Sequence, residues 1–365
     1  MSRFPLAVLF LLLTWVLPVA SAPGQDTTRV ETGEIGGSVF RTQIPPRWNR
    51  NLVMYLHGYN ARGAAWNPMP RRYAVVFLER GFAVAEAAYS RQGWAVEEGL
   101  RDTEALRRHF VQLHGRPDTT FVTGFSLGGV LALATLESHP GAYAGAMPMC
   151  GPLTPGLTFY RDQMFDMLVT FDALFGRHLP RECRPVADAA QLPLEAIQRA
   201  LAADTSLAER FAARWDVRRE DLAGDISFYH LAHRELVDRA GGQAIDNRNT
   251  IYSGFGPVPG LNDSVPRYAA DPRSVAYMLR NYTPTGLLKA PVLALHTTYD
   301  PGVPPRFANA YGVTAAAAGS ERWFVQQRVE ADGHCNIKPS LVGQAFDELR
   351  RWAATGRRPE PGTLR

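Results

Sequence analysis

The stretch "FVTGFSLGGV", Phe121 to Val130, decides how this chain is read. A predicted strand, Thr119–Ser126, runs into Gly124-Phe125-Ser126-Leu127-Gly128, and a helical pattern follows from Leu127 to His139. Gly124 and Gly128 lack side chains, so the turn between strand and helix can be tight and still leave the Ser126 hydroxyl projecting. The pentad alone is weak. With 32 Gly in 365 residues, a chance Gly-x-Ser-x-Gly arises in roughly one shuffled chain in ten. Its meaning has to come from what surrounds it.

Outward from this stretch, short apolar runs alternate with amphipathic ones, the order of a mostly parallel α/β sheet. "NLVMYLHG" (Asn51–Gly58) and "GFAVAEAAYS" (Gly81–Ser90) precede it as buried strands. "AGAMPMCGP" (Ala144–Pro152), "APVLALHTT" (Ala290–Thr298) and "RWFVQQRV" (Arg322–Val329) follow. Runs without polar alternation suit strands covered on both faces. Ala95–Leu113 and Leu341–Ala354 read as flanking helices, and the segment from Arg29 to Pro45 as an antiparallel hairpin at the sheet edge.

The alternation stops between Pro152 and Lys289, far beyond the length of an ordinary crossover loop. Phe159–Phe175, Leu194–Ala203, Leu207–Trp215 and Ile226–Ala240 look helical there, which predicts a large, mainly helical cap insertion. It is expected to leave and re-enter at the carboxyl edge of the sheet, where open α/β sheets bind ligands. The expected organisation is a signal peptide over 1–22, a core over 23–152 and 289–356, a cap over 153–288 and a flexible tail over 357–365.

A serine hydroxyl is a weak nucleophile and needs a neutral imidazole to take its proton, and the imidazole needs a carboxylate to fix its tautomer. Asp300 in "LHTTYDPGVP" and His334 in "EADGHCNI" each follow a predicted strand, so the fold can bring both to Ser126. Asp332 is the rival acid, but it shares the histidine's loop. The Leu127 amide, with that of Gly58 or Tyr59 after the "LHG" strand, is placed to hold an oxyanion. Tyr59, Arg62 and Trp66 are either a pocket edge or ordinary surface residues. His57 is expected to orient a loop and His296 to be structural.

With Ser, Asp and His in that order, the chain resembles the α/β-hydrolase family from about Asn51 to Ala354, cap excluded. "GFSLGG" looks like its nucleophile elbow, "HG" its oxyanion strand, and "YDPGVP" and "DGHC" its acid and base loops. It is also distantly similar to prolyl-oligopeptidase-type hydrolases and to tannase and feruloyl esterase relatives. The last two bridge a Cys before the nucleophile to one after the His. Cys335 matches, but Phe125 stands before Ser126, so that bridge is not available here. The resemblance implies a serine hydrolase cleaving a carboxylic ester through an acyl-enzyme, with no cofactor. A serine peptidase of the same fold (prolyl or aminopeptidase type) and a catalytically inactive binding protein are the alternatives. Activity should fall as the histidine is protonated in acid.

Composition narrows the partners. The formal charge is only +4, and the basic residues, all Arg but Lys289 and Lys338, are scattered. No nucleic-acid footprint is expected. Arg3, an apolar run from Leu6 to Leu17 and Ala20-Ser21-Ala22 read as a signal peptide cleaved after Ala22. A secreted or periplasmic location is expected, without stable membrane insertion after cleavage, the alternative being an uncleaved anchor. In an oxidising compartment two of Cys150, Cys183 and Cys335 could pair, in any of three ways, the alternative being three reduced, buried thiols. His230 and His233 share a helical face but lack metal spacing, so no metal is expected. The aromatic residues of the cap, among them Phe159, Phe228 and Tyr229, are expected mostly to pack its own core. The substrate is expected to be a small-molecule or polymeric ester.

Overall fold

The computed structural model describes residues 27–179, 185–186 and 192–364. The proposed signal segment and Cys183 lie outside the described residues. Nine strands form one sheet among the described residues: β1 (Arg29–Ile35), β2 (Ser38–Ile44), β3 (Leu52–Leu56), β4 (Ala83–Ala87), β5 (Thr120–Phe125), β6 (Gly145–Met149), β7 (Val292–Tyr299), β8 (Phe324–Asp332) and β9 (Gly362–Leu364). Their order is β1-β2-β4-β3-β5-β6-β7-β8-β9. Pairing is parallel from β4 through β9, whereas the hairpin β1–β2 is antiparallel and joins β4 by its second strand.

The helices outside the insertion are α1 (Arg71–Leu78), α2 (Val96–His114) and α3 (Leu127–Ser138). Within it lie α4 (Gly156–Phe159), α5 (Asp166–Phe175), α6 (Leu194–Ala203), α7 (Thr205–Trp215), α8 (Leu222–Ala240), α9 (Leu261–Ser264) and α10 (Pro272–Asn281). Beyond β7 come α11 (Pro305–Asn309), α12 (Tyr311–Ala317) and α13 (Pro339–Thr355).

Why the central strands carry apolar side chains on both faces follows from the layers. Side chains alternate across a strand. Leu52, Met54 and Leu56 of β3 enter the core shared with α2 and α3, while Val53 and Tyr55 enter the one shared with α1 and α13. In the second layer Phe346 of α13 meets Phe77, Phe82 and Phe121 edge-on at 4.9, 5.1 and 5.4 Å. Each such buried ring contributes about 2–3 kcal/mol.

From β3 the chain crosses through α1 to β4 on one side, then through α2 to β5 on the other. The carboxyl ends of β3 and β5 therefore flank a topological switch point, where a crevice opens in this class of sheet.

Two expectations need correction. The insertion leaves at the carboxyl end of β6 but cannot return at that edge, because β7 runs parallel to β6 and so begins at the opposite one. The returning chain passes α3, where Glu137 accepts hydrogen bonds from the Thr285 and Gly286 amides at 2.9 and 2.8 Å. The end of the chain is not frayed either. Residues 362–364 add strand β9 to β8, Leu364 is buried, and Gln327 donates to the Glu360 carbonyl. A sheet edge supplies unpaired backbone groups that even a polar tail can use.

The insertion's apolar residues join the same buried cluster as α2 and α3 instead of closing a core of their own. A π turn, Tyr160–Phe165, links α4 to α5. The Tyr160 hydroxyl donates to His233 Nδ1 at 2.6 Å, and burial pushes that imidazole down to about 4, so it stays neutral and accepts. His230 Nδ1 hydrogen-bonds the Pro185 carbonyl. His233 thus ties α8 to the π turn and His230 ties it to Pro185, and no metal-holding cluster occurs among the described residues. Helix α8 is tied to the rest by ions: Arg239 grips both oxygens of Glu98 at 2.7 and 2.8 Å, both side chains being buried. Removing one partner of such a pair costs about 3–5 kcal/mol.

Candidate active site

Ser126 joins β5 to α3 with φ 58° and ψ −122°. A non-glycine residue in that region costs about 1–3 kcal/mol and persists only if its surroundings hold it. They do. Its N–H donates to the Met149 carbonyl at 2.8 Å, and its carbonyl accepts from the amides of Gly129 and Val130. The flanking glycines are required by contact: a Cβ on Gly124 or Gly128 would collide with the Leu56 carbonyl.

Asp300 follows β7 and is 1% exposed. Its Oδ1 accepts from the Val303 amide at 2.9 Å, which turns the carboxylate toward the neighbouring loop. His334 follows β8, and its Nδ1 lies 3.0 and 2.8 Å from the two oxygens of Asp300. A carboxylate only accepts, so Nδ1 carries the proton and Nε2 keeps its lone pair. Ser126 Oγ stands 2.8 Å from that Nε2. The serine hydroxyl, the imidazole and the carboxylate thus form one hydrogen-bonded chain across three strand ends.

The histidine loop is tied on two sides. The Gly333 amide donates to the Tyr299 carbonyl, and the Thr297 hydroxyl donates to that of Gly333. Cys335 is disulfide-bonded to Cys150 at the end of β6, their Cα atoms 5.4 Å apart. The bridge from the residue before Ser126 is absent, as Phe125 requires, but the same cysteine is anchored from the end of β6. Of the three pairings open at the sequence level, this one is made.

The remaining expected residues sort by contact. Leu127 is the first residue of α3, and a Cβ on Gly58 would stand 3.2 Å from the Phe125 carbonyl and 3.4 Å from Ser126 Cβ. The amide-bearing turn after β3 therefore abuts the elbow. Tyr59 lies beside it and donates to Glu235 of α8 at 2.6 Å. Burial and that carboxylate push its phenol up. Arg62 and Trp66 do not line the cavity; Arg62 pairs with Asp238. His57 hydrogen-bonds the carbonyls of Gly58 and Ala88 and stacks on Tyr89 at 3.9 Å, its imidazole held down by burial. His296 donates to the Val303 carbonyl, which props the loop after Asp300, and burial lowers it too. Asp332 pairs with Arg218 at 2.7 Å rather than with His334.

Over Ser126 lies a cavity of about 240 Å³ between the strand ends and the insertion. Phe159 and Phe228 of the insertion line it, while Phe165, Phe171, Phe175 and Tyr229 are packed inside. Most of these rings thus pack into the shared core and two of them face the cavity. Sequence reasoning missed Trp94, Tyr282 and above all Asp225, which reach the same cavity. Asp225 sits in the first turn of α8, where an acidic residue reads as an ordinary partner of the helix dipole. Nothing local marks it.

The model of the tannase-like family of unknown function (DUF6351) matches residues 37–167, which include Ser126 but neither Asp300 nor His334. No curated protein matches the chain in sequence. Among solved structures, it is similar to the acylaminoacyl peptidase of Pyrococcus horikoshii, with a TM-score of 0.51 and 11% identity over 89% of this chain. The chain spans only 42% of that peptidase's length. It is also similar to an esterase/lipase from an uncultured bacterium, with a TM-score of 0.50 and 15% identity, covering 92% of this chain and 88% of that one. The sheet order, the switch point and these likenesses define the class: the chain has the α/β-hydrolase fold.

Proposed function

We propose that the protein is a serine hydrolase that cleaves a carboxylic ester through an acyl-enzyme. The observation that carries this reading is the unbroken chain Ser126 Oγ–His334 Nε2 at 2.8 Å and His334 Nδ1–Asp300 Oδ2 at 2.8 Å. Ser126 Oγ attacks the ester carbonyl carbon as its proton passes to His334 Nε2. Asp300 holds the imidazole's tautomer and balances its charge. The amides of Leu127 and of Gly58 or Tyr59 receive the oxyanion, with the amino end of α3 adding its dipole. Collapse expels the alcohol, which takes the proton from His334. Water then attacks the acyl carbonyl with the same histidine as base, releasing the acid and restoring Ser126.

The Cys150–Cys335 bridge supports an oxidising compartment, and with the leader read in the sequence it favours a secreted or periplasmic enzyme. No helix among the described residues is long and apolar enough to cross a membrane. Sequencing the amino terminus of the exported protein should place it at Pro23.

The test is labelling by a fluorophosphonate probe, read by mass spectrometry, beside turnover of nitrophenyl esters and of aminoacyl and prolyl anilides. We expect a Ser126 adduct and ester turnover without anilide turnover. An unlabelled Ser126 in folded protein would leave a non-catalytic binding role. Anilide turnover would make it a peptidase.

A further inference from the structure

We propose that Asp225 makes the Ser126 cavity a cation subsite, so that the preferred ester carries an alkylammonium group. This inference rests on the hydrolase reading above and assigns its substrate class.

Asp225 is 8% exposed and lines the cavity, and its carboxyl makes no hydrogen bond among the described residues; Oδ2 is enclosed without a partner, so an occupant of the cavity would answer the carboxyl's charge from the side that lines the space and not by touching Oδ2. A buried acceptor left in that state costs about 1–3 kcal/mol, and more when charged. The nearby acidic residues are otherwise engaged. Asp221, one turn earlier on α8, accepts from the Tyr299 hydroxyl at 2.6 Å, and Asp300 holds His334 and the Val303 amide. Tyr229, on the same helix, donates to the Gly302 carbonyl. Burial pushes Asp225 up to about 8, and the charges of Asp221 and Asp300 add to that. Among the described residues no Lys or Arg lines the cavity to neutralise it.

What would satisfy this group is set by the walls. The rings of Tyr59, Trp94, Phe159, Phe228 and Tyr282 enclose the space. Aromatic walls with one carboxylate attract a poorly hydrated organic cation, through the negative ring faces and the direct ion pair. A neutral hydroxyl would give Asp225 one hydrogen bond but would leave the field of Asp221 and Asp300 unanswered. An alkylammonium group answers both and fits the apolar lining.

Isosteric pairs that differ only in charge provide the experiment. Butyrylcholine is compared with 3,3-dimethylbutyl butyrate, which places the charge on the alcohol. The nitrophenyl ester of γ-trimethylammonio-butyrate is compared with its tert-butyl analogue, which places it on the acyl group. Rates are measured at about pH 9, where Asp225 is ionised. We expect kcat/KM to favour the cationic ester by tenfold or more in at least one pair, and Asp225→Asn to collapse that ratio toward one. Calorimetry with choline against 3,3-dimethylbutan-1-ol on the unmodified protein asks the same question without turnover or a variant. Neutral and cationic esters cleaved at equal rates in both pairs, or the neutral preferred, would overturn the cation site and leave the hydrolase standing. If no ester is cleaved, the hydrolase reading fails, and calorimetry alone decides the site: choline bound tenfold tighter than the alcohol upholds it, equal binding removes it.

Discussion

Two carboxyl groups reach the neighbourhood of Ser126 from different regions, and they are treated differently. Asp300, at the end of a sheet strand, is fully buried and meets a backbone amide and an imidazole. Asp225, from the helical insertion, is nearly as buried and has no hydrogen-bond partner among the described residues. The sheet delivers its polar groups to positions fixed by strand register, so partners wait for them. The insertion packs over the strand ends and is tied there at Glu235, Tyr229 and Arg239, but Asp225 faces the cavity instead of a polar partner among the described residues. In our reading one region carries the chemistry and the other the choice of substrate.

The comparison breaks first at the sheet. Ser126→Ala should lower ester kcat by about 10⁴–10⁶ with binding retained, and a loss under tenfold would remove the proposed nucleophile. Next comes the disulfide, which joins residues 185 positions apart and so should stabilise the fold by up to about 5 kcal/mol. The Cys150→Ala, Cys335→Ala double variant should melt lower and lose kcat, because the cysteine follows His334 directly. Unchanged melting would show that backbone bonds alone hold that loop.

The third prediction sharpens the contrast itself. Burial raises Asp225 from the usual aspartate range to about 8 on folding, so between those values the folded state binds the extra proton. Its contribution is therefore present in acid and lost as pH rises toward 8, at about 1.4 kcal/mol per unit. Asp225→Asn should melt progressively higher than the parent from about pH 4 to about pH 8, by a few kcal/mol at the top. A constant difference across that range would mean the carboxyl is not the burden we describe.

The smallest effect belongs to the seam between the regions. Glu235 accepts from the Tyr59 hydroxyl and the Arg62 amide, tying α8 to the turn after β3. Glu235→Gln should cost about 1–2 kcal/mol and lower kcat more than it raises KM, since it loosens the turn bearing a proposed oxyanion amide. A change in KM alone would assign that seam to substrate binding.

Much of this was legible in the chain itself. The continuous apolar runs of β3 to β7 can only suit strands covered on both faces. The glycines around Ser126 announce a turn that admits no Cβ, and a serine, an aspartate and a histidine each just past a strand end come out at one edge of the sheet when those strands, β5, β7 and β8, all run parallel. These are local patterns or consequences of sheet topology, and one sequence holds both. What only the tertiary structure decided depends on surfaces meeting that share no pattern: Cys335 paired with Cys150, the chain end added as β9, and Asp225 turned into the cavity by how α8 packs. Periodicity says which face of a helix is buried but not what it is buried against, and the partner across the gap determines whether a buried carboxyl is satisfied or waiting.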